Sequence, residues 1–227
     1  MPVDLSPPSS LDEAFMIASA AQKYDMRSAM ERSRGLLRNF VSDSNCIRAY
    51  GTAYRLRLRE EMIMAVPLTL RRDLSLSSLG VDLRHLTGSA LYDLWVYRAT
   101  CAKVISKFID QKISNGDGAE WLPRGHSTSA SRGCISTIMR TSIPAWYHAF
   151  VGQIALTMAE DPEQRFPSRS QKLDSLISAC QDHSKHCRYC LEKYDHVDVY
   201  RQMWAKLMDT IDEVIAQVDL AKQFSGF

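Results

Sequence analysis

A chain of 227 residues, 45% apolar and 24% charged, has the composition of an ordinary globular protein and is long enough to bury a core. Its net charge of +2 calls for neither nucleic acid nor an anionic membrane as partner. No apolar run reaches the roughly 20 residues that span a bilayer, and no basic-then-apolar leader opens the chain. Neither membrane insertion nor secretion is therefore expected. Six cysteines in such a chain point to a reducing compartment, cytoplasm or nucleus, and to thiols or metal ligands rather than disulfides.

Helical periodicity dominates from the start. After a lead-in rich in Pro and Ser, Ser10 and Glu13 form a capping box, each satisfying a backbone N–H that the first turn leaves open. Leu11, Phe15, Ala18 and Ala21 then share one face. Asp25 is expected to cap a second helix with Met26, Met30, Leu37 and Phe40 apolar and Ala29 and Ser33 small. So little linker joins the two that they should pack as a hairpin.

This hairpin resembles a known family. The run Ala20, Ala21, Gln22, Lys23, Tyr24, Asp25, Met26, preceded by Pro2-Val3-Asp4-Leu5 and Ser9-Ser10-Leu11-Asp12, is similar to the closing helices of BTB/POZ domains, particularly those of fungal proteins. The resemblance implies a non-catalytic protein–protein interaction module, an adaptor or scaffold, followed by a helical extension of the kind called BACK. On that resemblance the sheet-bearing, dimer-forming front of the domain is expected to be missing from this chain, through truncation, an incomplete gene model or divergence. The contact with cullin-type ubiquitin ligases made by some relatives draws on that front end and is not expected. On this reading residues 1–72 are the C-terminal helices of a BTB/POZ-like domain and residues 73–227 a BACK-like helical domain. Leu11, Phe15, Met26 and Met30 should then present an incompletely covered apolar surface to a protein partner or a second copy.

Further helices follow. Asp43 and Ser44 can cap one bearing Ile47, Tyr50, Tyr54 and Leu58, and another near Glu60 carries Met62, Ile63, Val66 and Leu70. Pro67 inside the latter should kink or restart it. Residues 75–88 read as a loop with a short helix. Thr87 or Ser89 then caps a long helix to about Lys112, burying Leu91, Leu94 or Trp95, Ala102, Ile105 and Ile109, with the Cys101 thiol beside that face. Residues 114–136 lack periodicity and form a long loop. Helices over about 144–160 and from 170 precede a last one, 197–218, whose stripe includes Tyr200, Met203, Trp204, Leu207, Met208 and Ile211. No strand alternation occurs. An all-α, multi-helix array is expected.

One constellation has metal-like spacing: Cys180, His183, His186, Cys187 and Cys190. Cys187 and Cys190 can turn two thiolates onto one ion, and Cys134 and His126 from the long loop could complete a tetrahedral structural zinc site. Cys180 and His183 are nearer in sequence but could point elsewhere along a helix. A zinc-stapled helical module binding nucleic acid in transcription regulation is the alternative function, although near-neutral charge argues against it. Catalysis is not expected. No His is followed two residues later by Glu, as zinc deaminases require, and no phosphate loop, dinucleotide fingerprint, nucleophile elbow or His-Glu-x-x-His motif occurs.

Overall fold

The computed structural model describes residues 8–115 and 197–224. Among them there is no strand, and the fold is all-α and multi-helical. No described helix is long and apolar enough to cross a membrane. The chain divides into two compact units: Met1–Arg98 with Glu163–Arg165 and Asp219–Phe227, and Ala99–Pro162 with Phe166–Val218.

In the first unit α1 (Leu11–Lys23) opens as its sequence requires. The Glu13 N–H donates to Ser10 Oγ at 3.2 Å. Its carboxylate reaches one residue further back than a standard capping box, accepting from the Ser9 N–H at 2.8 Å and the Ser9 hydroxyl at 3.0 Å. Helix α2 (Arg27–Asn39) departs from expectation at its start. Met26 holds the N-cap position with no side-chain bond, because Asp25 is used for the turn itself, in the left-handed region at φ 50°. Small residues line the seam between the two helices: Ala14, Ala18 and Ala21 of α1 are buried, as is Ser33 of α2, whose hydroxyl donates to the Ala29 carbonyl at 2.7 Å.

Helix α3 (Cys46–Arg55) is buried almost all round, at Ile47, Ala49, Tyr50, Gly51, Thr52 and Ala53, and such a helix belongs at the centre of a core. Asn45 occupies its N-cap position in place of Asp43 or Ser44, and the Cys46 thiol donates to the Asp43 carbonyl at 3.3 Å. Arg57, left-handed at φ 55°, turns the chain into α4 (Arg59–Thr69), which buries Met62, Ala65 and Val66. Pro67 does not interrupt α4. It sits in the last turn and the helix ends two residues later.

The end of α4 is held by an interior cation. Arg98, with no exposed surface, donates from Nη2 to the carbonyls of Leu70 at 3.4 Å and Arg72 at 2.8 Å. Those groups lie where a helix runs out of its own donors. A short helix α5 (Leu76–Leu79) and a 3₁₀ turn (Gly80–His85) lead to α6 (Gly88–Asn115). Thr87 is its cap, accepting from the Ala90 N–H at 3.1 Å. The Tyr50 hydroxyl donates to the Ala90 carbonyl at 2.9 Å and Tyr54 to Asp93 Oδ2 at 2.8 Å, fixing the start of α6 on α3.

In the second unit the remainder of α6 buries Cys101, Ala102, Ile105 and Ile109. Helix α7 (Val197–Ala216) buries Trp204, Leu207, Met208, Ile211 and Val214 at three- and four-residue spacing, the face read from its sequence. After α7 the chain rejoins the first unit through α8 (Leu220–Gln223), capped by Asp219 and followed by buried Phe224. The loop expected at 114–136, beyond Asn115, and the helices expected at 144–160 and from 170 lie outside the described residues.

Candidate protein-interaction surface

Helix α1 carries two apolar faces. One, formed by Leu11, Ala14, Ala18 and Ala21, is buried. On the opposite side Met16, Ala20 and Tyr24 recur every four residues with Ile17 beside them. Met16 is 63% exposed, Ile17 39% and Tyr24 66%, and Ala20 is exposed too. Met26, in the turn that follows, is 53% exposed. A helix apolar on both sides usually lies between two neighbours. Here one of those neighbours is α2 and the core behind it. Single exposed apolar residues need no explanation, but a stripe of them is a candidate interaction surface.

The stripe ends in opposite charges. Asp12 and Glu13 lie at its N-terminal end and Lys23 at its C-terminal end, each where the helix dipole favours it. The Lys23 ammonium sits 5.5 Å from the centre of the Tyr24 ring. The base of α1 is pinned inward by Gln22, whose side-chain amide donates to the Leu56 carbonyl at 3.2 Å. Arg55 lies 5.6 Å from the centre of the Phe15 ring. The outward face is thus set on a fixed support.

The expected interaction residues fall differently from one another. Leu11 is buried and belongs to the core, Phe15 and Met30 are half-buried, and only Met26 is strongly exposed. Met16, Ile17, Ala20 and Tyr24 were not foreseen. Their signal was in the sequence as a second stripe with four-residue spacing, opposite the one assigned to the core.

Elsewhere among the described residues, several titratable groups are committed to structure. Glu61, 2% exposed, accepts from Arg34 Nε at 3.3 Å and from Arg38 Nε at 2.9 Å, and Arg38 also bonds Glu60 at 2.6 Å. This cluster ties α2 to α4, and the hydrogen bond that Arg34 donates to Glu61 holds the Arg34 pKa above its ordinary value. Burial pushes the Cys46 thiol up to about 11, so at neutral pH it is no nucleophile. Burial likewise raises Tyr50. An open groove beside α6 is lined, among the described residues, by one helix face including Lys103, Ser106, Lys107 and Asp110, which brings no groups together from different elements.

The zinc expectation is corrected. Among the described residues no group of three or more His, Cys, Asp or Glu side chains could hold a metal ion, and the two described cysteines, Cys46 and Cys101, are buried thiols. Cys187, Cys190, Cys134 and His126 lie outside the described residues. Local Cys-x2-Cys spacing brings two sulfurs together but says nothing about ligands more than 50 residues away. The zinc site and the zinc-stapled alternative are withdrawn.

No protein-family model matches the chain, and no curated protein or solved structure is detectably similar to it. The BTB/POZ and BACK-like labels are corrected accordingly. What stands is an all-α, multi-helix fold among the described residues, with a seven-residue likeness at 20–26.

Proposed function

We propose that this protein is a non-catalytic interaction module, an adaptor or scaffold that binds another polypeptide through the outward face of α1. The observation carrying this reading is the second apolar stripe of that helix, Met16, Ile17, Ala20 and Tyr24, exposed on a rigidly pinned support. Burying large apolar side chains such as these gains about 1.5 to 3 kcal/mol each, and aromatic and Met residues are enriched in interface cores. The buried state of Cys46 and the structural commitment of Glu61 with its two arginines agree with a role that needs no reacting group.

A photo-cross-linking residue at position 16 tests the reading. It should capture a polypeptide in trans in living cells, whereas the same group at Asp73, on the exposed surface outside α1, should not. Capture should fall at least about tenfold when Ile17→Asp and Tyr24→Asp are added, with the melting curve little changed, since exposed substitutions usually cost under about 0.5 kcal/mol. Equal capture at both positions, or none at position 16, would remove the support for an α1 interface.

A further inference from the structure

Resting on that interaction reading, we infer that the polypeptide seated on the outward face of α1 is a second copy of this chain, with the two α1 helices packed antiparallel about a twofold axis. The face is complementary to itself. With the axis at the height of Ala18, each Glu13 stands opposite the partner copy's Lys23, while Asp12 stays turned to His85 of its own chain, 3.9 Å from Nε2. Met16, large and 63% exposed, stands opposite Ala20, the small residue of the stripe. Large side chains facing small ones interdigitate without voids. Opposite charges at the two ends permit the antiparallel arrangement and oppose the parallel one, in which Glu13 would meet Glu13 and Lys23 would meet Lys23.

Among the described residues, both ends of the pairing are open to it. Glu13 Oε2 accepts from Ser9, which leaves Oε1 for an ammonium. Among the described residues Lys23 contacts the Tyr24 ring face, which is compatible with a carboxylate on its far side. A twofold interface is isologous and closes at two copies, so it predicts a dimer and not a filament. It is also small. A 13-residue helix is about 20 Å long, and one such face falls below the roughly 1,200 Å² of a standard interface. The dimer is therefore weak, forming at roughly tens of micromolar.

Sedimentation velocity of the purified full chain from about 1 to 300 µM reads this directly. The mass should rise from 25.7 kDa towards twice that value, with no larger species. Ala20→Glu, at an exposed position that keeps a helix-compatible side chain, should weaken association at least about thirtyfold. Lys23→Glu should weaken it about tenfold, and a one-to-one mixture of Lys23→Glu with Glu13→Lys chains should form mixed dimers more tightly than either variant alone. Should Glu13→Lys fold poorly through loss of its Ser9 bonds, Ala20→Glu and Lys23→Glu still decide the matter. A wild-type chain that stays at 25.7 kDa throughout, or an Ala20→Glu chain that dimerises like wild type, overturns the pairing. If the photo-cross-linker at position 16 nevertheless captures a different polypeptide in cells, only the self-pairing fails and the interaction reading survives. If it captures nothing, both fail.

Discussion

Gly51 is the residue where packing leaves no freedom at all. A Cβ at this position would lie 2.9 Å from the carbonyl carbon of His85 and closer still to its oxygen, so backbone would meet side chain with no flexible end to yield. Gly51→Ala should raise helix propensity by about 1 kcal/mol and still destabilise, by about 1 to 3 kcal/mol net, because forcing the 3₁₀ turn off α3 outweighs it. Urea titration of the two proteins measures the difference. Cys46 offers a second test, through pH. Its thiol is pushed up to about 11 by burial, while in the unfolded chain it ionises near 8.5. The stabilisation tied to the proton is thus complete below about pH 8.5 and lost as pH rises towards 11. The stability difference between wild type and Cys46→Ala should therefore shrink by about 3 kcal/mol between pH 8 and pH 11. Using the difference cancels Tyr50, which burial shifts in the same direction. A difference flat across that range would mean that water reaches the sulfur.

Between elements, the decisive contacts are those that sequence periodicity cannot show. Two caps and one apolar stripe were legible: Ser10, Thr87 and the α7 face from Trp204 to Ile211 act as their spacing indicates, whereas Met26 and Asn45 hold the N-cap positions expected of Asp25 and of Asp43 or Ser44. The partnership of α2 with α4 was not, because Arg34 and Arg38 on one helix and Glu61 on another look like solvated charges until the fold brings them within 3.3 Å. Arg98 was hidden for the same reason, a fully buried cation on a helix that also carries exposed lysines. The two apolar faces of α1 were individually visible, yet nothing local says which of them turns inward. Glu61→Gln keeps shape and removes charge, and should cost about 1 to 2 kcal/mol as Arg34 and Arg38 lose their one buried carboxylate, although Arg34 keeps the exposed Glu31 and Glu60. Arg38→Gln should cost about 0.5 kcal/mol, since Arg38 is 42% exposed and Arg34 keeps Glu61 paired. The reverse order would place the main link at Glu60. In α7, Trp204→Ala should cost about 3 to 5 kcal/mol, the range for emptying a buried aromatic site. A loss below about 1 kcal/mol in a denaturant melt would put that ring at the surface.

At the scale of the molecule the notable feature is that the first unit is not a contiguous stretch of chain. It ends at Arg98 inside α6 and is completed by residues 219–227, so its core is closed by the last helical turn. Phe224 makes that closure. Its buried ring stands 6.4 Å from the ring of Tyr50, edge to face, and 6.4 Å from that of Tyr97. Tyr50 in turn holds α3 to α6 through its bond to the Ala90 carbonyl. Aromatic pairs add about 0.5 to 1.5 kcal/mol beyond the area they bury. Removing the ring also opens a cavity next to a hydroxyl whose hydrogen bond is now shielded from water. Phe224→Ala should therefore cost about 3 to 5 kcal/mol, a large share of the roughly 5 to 15 kcal/mol that holds a domain folded. The effect should be local in a specific way. Hydrogen exchange should quicken in α3 and the first two turns of α6, which share the Tyr50 contact, and near-ultraviolet circular dichroism should lose tyrosine signal. Deleting residues 219–227 should cost at least as much, since it removes the ring together with the Asp219 cap that starts α8. If the deletion melts within about 1 kcal/mol of the full chain, the first unit closes its own core without the returning segment, and Phe224 merely rests against it.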